Sequence, residues 1–261
     1  MATRNPRTLP LYRYRPLSTP QELDWVCKSI SESWLYWGSP LDFNDPFDCQ
    51  PAFIFEGSRA ERRALARKSA DFVHQNEPRA SRRRAARQSL VIPDEWIVST
   101  MKASTTHELR RYGVVCLSSK NDHILMWAHY ASNHSGICLG YQPSLKAIDL
   151  ACAFEVHYHE SRPIINLVHS VVEQGLFDTL LTKSNQWSYE SEWRMLERRI
   201  NNRQRPYPPD ALAYVIFGYK TGIDDQARIL AAIDSSGSRP KVFKAEIDEQ
   251  EFQLNIRPFS L

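Results

Sequence analysis

The chain has 261 residues, with 33 lysines and arginines against 30 aspartates and glutamates, so its formal net charge of +3 is too small to indicate a nucleic-acid partner by itself. Its composition, 42% hydrophobic and 24% charged, is that of a soluble globular protein. Because no apolar run approaches the ~20 residues of a membrane span and residues 1–10 lack the apolar core of a secretory signal, we expect a cytoplasmic protein with no membrane partner.

The first predicted element is a short strand from Leu11 to Arg15, which Pro16 ends. Alternate residues of a strand share a face, so Arg13 and Arg15 lie opposite the two tyrosines. An arginine on an inward face is costly unless it meets an anion, which predicts a phosphate or carboxylate partner. An edge strand that shows its arginines to water is the alternative.

The next elements are a capped helix and an aspartate-rich turn. Thr19, Pro20 and Glu22 form a helix start of the capping-box type, and the helix is predicted to run to about Ser31. The segment 42–48 is rich in aspartate and asparagine but lacks the spacing of a calcium loop. We therefore interpret it as a turn whose side chains bond their own backbone.

Between residues 57 and 111 the sequence becomes basic and alanine-rich, which predicts helices. We expect a helical insertion made of two helices, broken near Asn76-Glu77-Pro78, and a third from about Asp94 to Arg110. The basic side chains predict contact with nucleic acid or with an acidic protein such as an antitoxin. A solvated face is the alternative, because aromatic residues for base stacking are few. The arginines expected to make such contacts are Arg62, Arg63, Arg82, Arg83 and Arg84.

The second half of the chain is predicted to be richer in strands. Apolar runs of strand length predict strands at 112–119, 137–141, 154–159, 214–219, 241–247 and 251–257. Helical patterns predict helices at 121–131, with Asn121 or Asp122 as the cap, at 168–185 and at 224–233.

The segment from Trp187 to Arg194 brings two carboxylates, three aromatic rings and an arginine together. In a strand, Glu190 and Glu192 point to the same face. Two carboxylates that share one space repel each other, and the usual result is one raised pKa or a cationic partner. Acid–base and cation-stabilising sites are built in this way, although a solvated strand edge with ion pairs to Arg194 and Arg198 is the alternative.

Five histidines lie between residues 123 and 159 and are candidate metal ligands. His129 and His134 are five residues apart across a predicted helix end and match neither a zinc-binding helix nor a zinc finger. His157 and His159 share a strand face, as two ligands of one metal can. We expect no metal site, and we expect His129 to line a cleft with Tyr130 or to be a buried ring bonded to the backbone. The five cysteines form no Cys-x-x-Cys pair, which argues against a zinc ribbon.

Five motifs together resemble those of a widespread bacterial family known as a domain of unknown function. They are Leu11-Tyr12-Arg13-Tyr14-Arg15, Asn44-Asp45-Pro46-Phe47-Asp48, Leu117-Ser118-Ser119, Met126-Trp127-Ala128-His129-Tyr130-Ala131 with His134-Ser135-Gly136, and Tyr189-Glu190-Ser191-Glu192-Trp193-Arg194. The resemblance extends over about residues 11 to 219, and the last two motifs are its most specific part.

More distantly, the order of an arginine on the first strand, a serine on a central strand and a Glu-x-Glu strand resembles the mono-ADP-ribosyltransferases. That resemblance implies a split β-sheet and NAD as the substrate. It also implies that Arg15 holds the NAD phosphate, that Ser118 supports the nicotinamide ribose, and that Glu192 stabilises the ribosyl cation while Glu190 orients the acceptor. This chain departs from the pattern, because Ser118-Ser119 lacks the full Ser-Thr-Ser and His129-Tyr130 has no counterpart.

We therefore expect one α+β domain over residues 1–261, with a mixed, split β-sheet and the helical insertion at 57–111. The predicted function is NAD-dependent ADP-ribosyl transfer to a nucleic acid or protein, or NAD hydrolysis, of the kind found in toxins and phage defence. A nucleic-acid-binding or partner-binding module without catalysis and a metal-dependent hydrolase that uses the histidines are the alternatives. Glu190 and Glu192 are the predicted catalytic residues, and the residues predicted to bind NAD are Arg15, Tyr14, Ser118, His129, Tyr130, Tyr189 and Arg194.

Overall fold

The computed structural model describes residues 9–142 and 152–260. These ranges form an α+β fold with a mixed eight-stranded sheet, which confirms the predicted fold class. The helices are α1 (Pro20–Ser31), α2 (Arg59–Val73), α3 (Arg79–Ser89), α4 (Asp94–Leu109), α5 (Ile124–Tyr130), α6 (Val172–Leu180) and α7 (Ile223–Ser235).

Short 3-10 helices lie at Pro40–Asp42, Asn185–Glu190 and Pro209–Ala211, and the remaining elements are strands. They are β1 (Leu11–Arg15), β2 (Trp34–Tyr36), β3 (Ala52–Ile54), β4 (Tyr112–Ser118), β5 (Ile137–Tyr141), β6 (Phe154–Glu155), β7 (His157–His159), β8 (Ile164–Asn166), β9 (Thr182–Ser184), β10 (Glu192–Arg198), β11 (Gln204–Pro206), β12 (Leu212–Phe217), β13 (Lys241–Ile247) and β14 (Leu254–Pro258).

The main sheet has the strand order β14-β13-β12-β5-β1-β4-β10-β6, and its neighbours are antiparallel except for the parallel pair β12 and β13. Strands β1 and β5 pair over five residues, and β4 and β10 pair over seven. In contrast, β1 and β4 are joined only by Tyr12 and Ser118. The sheet therefore consists of two halves that meet at a single residue pair.

A gap between β1 and β4 opens beyond that pair. The next pair in register would be Tyr14 and Cys116, and it is not formed. Gly38 closes the far end of the gap, where its backbone exchanges two hydrogen bonds of 2.9 Å with Val114. Because residues two apart on a strand present their peptide groups to the same side, the peptide groups of Tyr14 and Cys116 face the gap.

Hydrophobic clusters cover both faces of the main sheet. On one face, α1 and α7 pack on the strands through side chains such as Val26, Ile30 and Ile229. On the other face, α5 packs through Met126 and Trp127. The first cluster takes residues from β4 and β10 as well as from β5 and β12. Because burying one large apolar side chain contributes about 1.5–3 kcal/mol, this cluster holds the two halves of the sheet together despite the gap.

The basic segment forms the three predicted helices, but they differ in how they pack. Helices α2 and α3 form a hairpin around the small side chains of Ala66, Ala70 and Ala86. Helix α4 instead reaches a hydrophobic cluster through Leu109, which is fully buried. In the described ranges, no helix is long and apolar enough to cross a membrane.

Three element predictions are corrected by the structure. Helix α5 begins only at Ile124, and its N-cap residue is His123, so neither Asn121 nor Asp122 caps it. The helix predicted at 168–185 is limited to α6, because the chain then turns into β9, which pairs with β7. The strand predicted at 154–159 is interrupted at Val156, whose backbone N–H donates to Glu192, and its two parts join different sheets.

Candidate functional site: a cleft with a buried carboxylate cluster

A cavity of about 470 Å³ occupies the gap between β1 and β4. Small-molecule sites typically measure roughly 300–1,000 Å³. Tyr14 and Met126, on the α5 side of the sheet, line the cavity together with Arg13 and Arg15, which alternate with the tyrosines along β1. The cavity therefore extends through the gap from one face of the sheet towards the other. We call it the central cleft.

Glu190 and Glu192 both line the central cleft, but they do not lie on one strand. Glu190 ends a 3-10 helix, Ser191 adopts a left-handed conformation with φ of 46°, and β10 begins at Glu192. The prediction of a continuous strand through both glutamates is therefore wrong. Their carboxylates nevertheless converge, because the turn at Ser191 directs both side chains to the same amine.

That amine belongs to Lys183 of β9, which is buried. Its Nζ donates to Oε2 of Glu190 and to Oε2 of Glu192, the second at 3.0 Å. A third carboxylate, that of Asp48, lies 3.7 Å from the same nitrogen. Although burial lowers the pKa of Lys183, the charges of Glu192 and Glu190 outweigh burial and raise it above its usual value, so the amine stays protonated.

Arg194 is the second cation of this group, and it is 0% exposed. Its Nε donates to Glu192 Oε1 at 2.7 Å, and its Nη2 donates to Asp48 Oδ2 at 2.6 Å and to Glu192 Oε2 at 3.0 Å. Its Nη1 donates to Asp48 Oδ1 at 3.0 Å and to the Leu180 carbonyl at 2.8 Å. All five N–H groups are used. We call Asp48, Lys183, Glu190, Glu192 and Arg194 the carboxylate cluster.

The two glutamates of the cluster have opposite pKa shifts. Burial and the charge of Glu192 raise the pKa of Glu190 above its usual value, although Lys183 and Tyr130 act in the other direction. Burial also acts to raise the pKa of Glu192, but Arg194 and Lys183 outweigh it and hold the pKa far below the usual range. Glu192 is therefore a fixed negative charge, and Glu190 is the carboxylate that exchanges a proton more readily. Such a pair is a recurrent feature of acid–base sites.

Two hydroxyl groups fix Glu190. Tyr130 Oη donates to Glu190 Oε1 at 2.6 Å. Ser118 Oγ donates to the Glu190 carbonyl at 2.6 Å and accepts from the backbone N–H of Lys120 at 3.0 Å. Ser118 is 1% exposed, so its hydroxyl proton positions Glu190 and is not available to a ligand.

Arg13 and Arg15 form the cationic side of the central cleft. Burial, with the neighbouring Arg13, lowers the pKa of Arg15 to about 10, and burial lowers that of Arg13 as well. Arg13 donates to the Tyr36 carbonyl at 3.1 Å. Over residues 9–142 and 152–260, no carboxylate lies within 4 Å of either guanidinium, and the side chain of Arg15 makes no hydrogen bond there. Cationic side chains whose pKa is lowered by burial, and which have no anionic partner, are typical of anion-binding sites.

An aromatic rim borders the cleft. His129 lines it, as predicted, and is exposed. Tyr189 lies beside His129, with ring centroids 6.0 Å apart, and stacks on His123 at 5.5 Å. Trp187 completes the group, 6.0 Å from Tyr189.

The structure thus brings most of the predicted site residues to one cavity. Lining it are Tyr14, Arg15, Ser118, His129, Tyr130, Glu190 and Glu192. Tyr189 lies outside the lining, at the rim. Arg194 lies behind Glu192 with no donor left for a phosphate, so it holds the glutamate ionised and does not bind a ligand.

Sequence reasoning missed Lys183 and Asp48. Asp48 belongs to the motif Asn44–Asp48, but its role was assigned to a local turn, and its partner Arg194 is 146 residues away. Lys183 is a single lysine in a segment predicted to be helical, and nothing in its neighbourhood signals that it faces two glutamates.

The histidines do not gather into a metal site. His134 packs against Tyr219, with ring centroids 5.3 Å apart, while His157 and His159 lie on β7 beside β9. Within the described part of the chain, no group of three His, Cys, Asp or Glu side chains is arranged to hold a metal ion. Metal-dependent hydrolysis by this histidine group is therefore not supported by its geometry.

Comparison with known proteins gives a match to a family model. No curated protein and no solved structure matches the chain. The match to the family model covers a shorter range than the expected resemblance over residues 11–219, and it agrees with that resemblance in pointing to a family of unknown function. Residues 126–195 match the family described as a protein of unknown function (DUF2971), and this range includes Tyr130, Lys183, Glu190 and Glu192.

Proposed function

We propose that the protein binds NAD in the central cleft and cleaves the bond between nicotinamide and ribose. The ADP-ribose then passes to a nucleic acid, to a protein or to water. The observation that carries the proposal is that two carboxylates and two arginines, which have no carboxylate partner among the described residues, line one cavity. An enzyme that consumes NAD in this way suits a toxin or defence protein of the cytoplasm.

Glu192 supplies negative charge where the reaction develops positive charge. When the C1′–N bond breaks, its electron pair goes to the nicotinamide nitrogen, and the ribose is left with oxocarbenium character. A preorganised carboxylate in a site shielded from water stabilises such a cation, as in glycoside hydrolysis. Because Arg194 and Lys183 lower the pKa of Glu192 and keep it ionised, its negative charge is present at neutral pH.

Glu190 accepts the proton of the attacking group. A hydroxyl group of the acceptor forms the new bond to C1′ and loses its proton as it does so. The raised pKa of Glu190 brings the carboxylate closer to the working pH, where general bases are most efficient. Tyr130 and Lys183 hold its two oxygens in place.

The β1 side of the cleft provides the groups that NAD requires for binding. The guanidinium of Arg15, which has no hydrogen-bond partner among the described residues, fits the diphosphate, since arginine binds phosphate through two parallel N–H groups. The peptide groups of Tyr14 and Cys116 face the same gap. A peptide N–H and C=O pair is complementary to a carboxamide such as that of nicotinamide.

Release of nicotinamide tests the reaction. Purified protein is incubated with NAD, and free nicotinamide is measured by chromatography. We expect Glu190→Gln to lower the rate by ~100-fold or more, the scale of losing one transition-state contact. Glu197→Gln is the matched control, because it makes the same change on β10 at a residue outside the cleft and should leave the rate unchanged. No nicotinamide release by the parent, or equal rates in both variants, contradicts the proposal.

Binding of diphosphate tests the cationic side separately from catalysis. Inorganic diphosphate should raise the melting temperature of the parent, because a ligand that binds only the folded state stabilises it. Arg15→Gln should remove most of that rise, and Arg239→Gln, an arginine remote from the cleft, should keep it. A rise that Arg15→Gln leaves intact would remove Arg15 from the proposed site.

A further inference from the structure

A second, larger cavity lies between α2 and α3. It is separate from the central cleft, and the proposed reaction does not use it. Its volume is about 670 Å³, and its charged lining is one aspartate and six arginines: Asp71, Arg63, Arg67, Arg79, Arg82, Arg83 and Arg87. We call it the arginine cleft. Ala86 and Leu90 supply the apolar part of the lining, and no aromatic residue contributes to it.

The arginines converge by helical spacing. On α2, Arg63, Arg67 and Asp71 are four residues apart and therefore share one face. On α3, positions such as Arg79, Arg83 and Arg87 repeat at the same interval. Two helices thus present their basic faces to one groove instead of turning them apart towards water.

Few contacts among the described residues compensate for bringing these positive charges together. Asp71 pairs with Arg82 at 3.2 Å, and in the part of the chain that the structure describes the other five arginines of the cleft form no ion pair. Like charges four residues apart destabilise a helix. Nε of Arg82 is also a buried polar atom, and it has no hydrogen-bond partner among the described residues. An external anion supplies what these groups lack.

The arrangement distinguishes this groove from a general basic surface. Arg62, which the sequence also assigned to a partner, is occupied by Asp94 at 2.8 Å and by the Phe55 carbonyl at 2.6 Å. Arg84 lies on α3 but does not line the groove. Of the five predicted contact arginines, Arg63, Arg82 and Arg83 remain.

We propose that the arginine cleft binds the phosphate backbone of double-stranded nucleic acid. The 15 residues of α2 extend over about 22 Å at 1.5 Å per residue. One strand of a duplex carries a phosphate every ~3.4 Å along its axis, so several phosphates face a groove of this length. Arginine is suited to bidentate phosphate contact, and the absence of aromatic lining favours the backbone over stacked, single-stranded bases.

Fluorescence anisotropy with the full-length protein and a labelled 20-base-pair duplex of random sequence tests this site. Duplex DNA and duplex RNA serve as separate probes from 50 to 200 mM salt. We expect binding that weakens steeply with salt. The triple variant Arg67→Gln, Arg83→Gln, Arg87→Gln should bind at least 10-fold more weakly at 50 mM salt and should lower the slope of log K against log salt by ~3, since each phosphate contact contributes ~0.9 on B-form DNA.

The matched control is Arg59→Gln, Lys68→Gln, Arg84→Gln, which removes the same charge from the same two helices outside the groove. It should keep affinity within about 3-fold of the parent, because these three side chains do not line the groove and so make no direct phosphate contact there. Circular dichroism confirms that both variants are folded. Equal losses in the two variants, or no binding by the parent at 50 mM salt, overturn the proposal. A poly-glutamate peptide that displaces the duplex at equal charge concentration overturns it as well, in favour of an acidic protein.

Discussion

A fully buried guanidinium is tolerated only where its N–H groups are bonded and its charge is balanced. Arg194 meets both conditions through Asp48 and Glu192. Asp48 is itself 5% exposed and Glu192 is 4% exposed, so each member of this group depends on the others for its charge balance. Arg194 therefore fixes the position of the Glu192 carboxylate and keeps it ionised.

Replacing Arg194 should be far more damaging than replacing a surface arginine. Arg194→Met leaves two buried carboxylates without their main cation, and breaking a buried ion pair from one side costs about 3–5 kcal/mol. Urea unfolding measures the loss. Arg198→Met, on the same strand, removes exposed pairs with Glu108 and Glu173 and should cost below about 1 kcal/mol. Similar losses in the two variants contradict the buried network.

The two glutamates should respond oppositely to the same substitution. Glu192→Gln removes an ionised carboxylate that Arg194 and Lys183 require, and it should cost about 3–5 kcal/mol at pH 7. Glu190→Gln relieves repulsion with Glu192 and keeps contacts to Tyr130 and Lys183, so stability at pH 7 should equal or exceed that of the parent. Urea titrations measure the free energy of unfolding of both variants. A larger loss of stability for Glu190→Gln than for Glu192→Gln would contradict the assignment of Glu192 as the fixed charge.

The pH dependence of stability follows from the same two shifts. The pKa of Glu192 in the folded protein lies below its ordinary value of 4.5. Its ionisation therefore stabilises the fold fully above pH 4.5, and this stabilisation is lost as the pH falls towards the folded pKa. The pKa of Glu190 in the folded protein lies above 4.5, so its protonated form stabilises the fold fully below pH 4.5, and this stabilisation is lost as the pH rises through the folded pKa. The free energy of unfolding of Glu190→Gln, measured with urea, should therefore rise relative to that of the parent between pH 4 and pH 8.

At the scale of residues, the sequence predicted part of the site for a physical reason. Glu190 and Glu192 were found because two carboxylates among large aromatic rings indicate a shared space, in which they meet a cation or share a proton. Lys183 and Asp48 were not found, because their partners are set by how β9 and the loop before β3 pack, which no local pattern encodes.

At the scale of elements, the loop between α5 and β5 has an unusual backbone conformation. Three consecutive residues, Ser132, Asn133 and His134, have φ values of 50°, 51° and 72°, a conformation that costs non-glycine residues energy. Hydrogen bonds offset this cost: Asn133 N–H donates to Ala128 at 3.2 Å, and Leu17 N–H donates to Ser132 Oγ at 3.0 Å. The loop is therefore determined by its surroundings.

Gly136, at the end of this loop, leaves no room for a side chain. An added Cβ would lie 2.4 Å from the Arg15 carbonyl and 2.9 Å from the backbone of Ala131, and backbone cannot move aside as a flexible side chain can. Gly136→Ala should destabilise the protein by about 2 kcal/mol or more, as overpacking does. The melting temperature measures this.

Gly38→Ala is the control for that substitution. Its nearest new contact is the Val114 carbonyl at 3.8 Å, an ordinary van der Waals distance, so the change should stay within about 0.5 kcal/mol. If Gly136→Ala were as mild as Gly38→Ala, the close approach of the loop to β1 would not exist in solution.

Elements with strong local signals were predicted well, and elements defined by pairing were not. Helix α1 was found from its capping box, which the structure contains at Thr19 and Glu22, and β4 was found from its apolar run. Strand β9 was missed because its three residues, Thr182–Ser184, acquire strand geometry by pairing with β7. The break at Ser191 was missed because a serine with positive φ has no sequence signature comparable to glycine.

At the scale of the whole molecule, the three basic helices divide into two parts. The hairpin of α2 and α3 packs on itself through alanines, which bury little apolar surface. Helix α4 contributes Leu109 to a cluster with Cys49, Leu176 and Leu180. The predicted insertion at 57–111 therefore contains one segment that the core needs and one that it does not, and we predict that only the hairpin is separable.

Replacing residues 58–91 by an eight-residue Gly-Ser linker, with a root-mean-square reach of about 15 Å, should leave the rest of the chain folded. The hairpin's ties to the remainder are contacts such as Arg62 with Asp94, a partly exposed pair at 2.8 Å, and pairs near the surface contribute little. The deletion should therefore cost less than Leu109→Ala in α4, for which a buried leucine predicts a loss of about 2–5 kcal/mol. Urea unfolding compares the two, and anisotropy follows duplex binding, which the deletion should abolish. A deletion variant that fails to fold while Leu109→Ala folds would show that the hairpin belongs to the core.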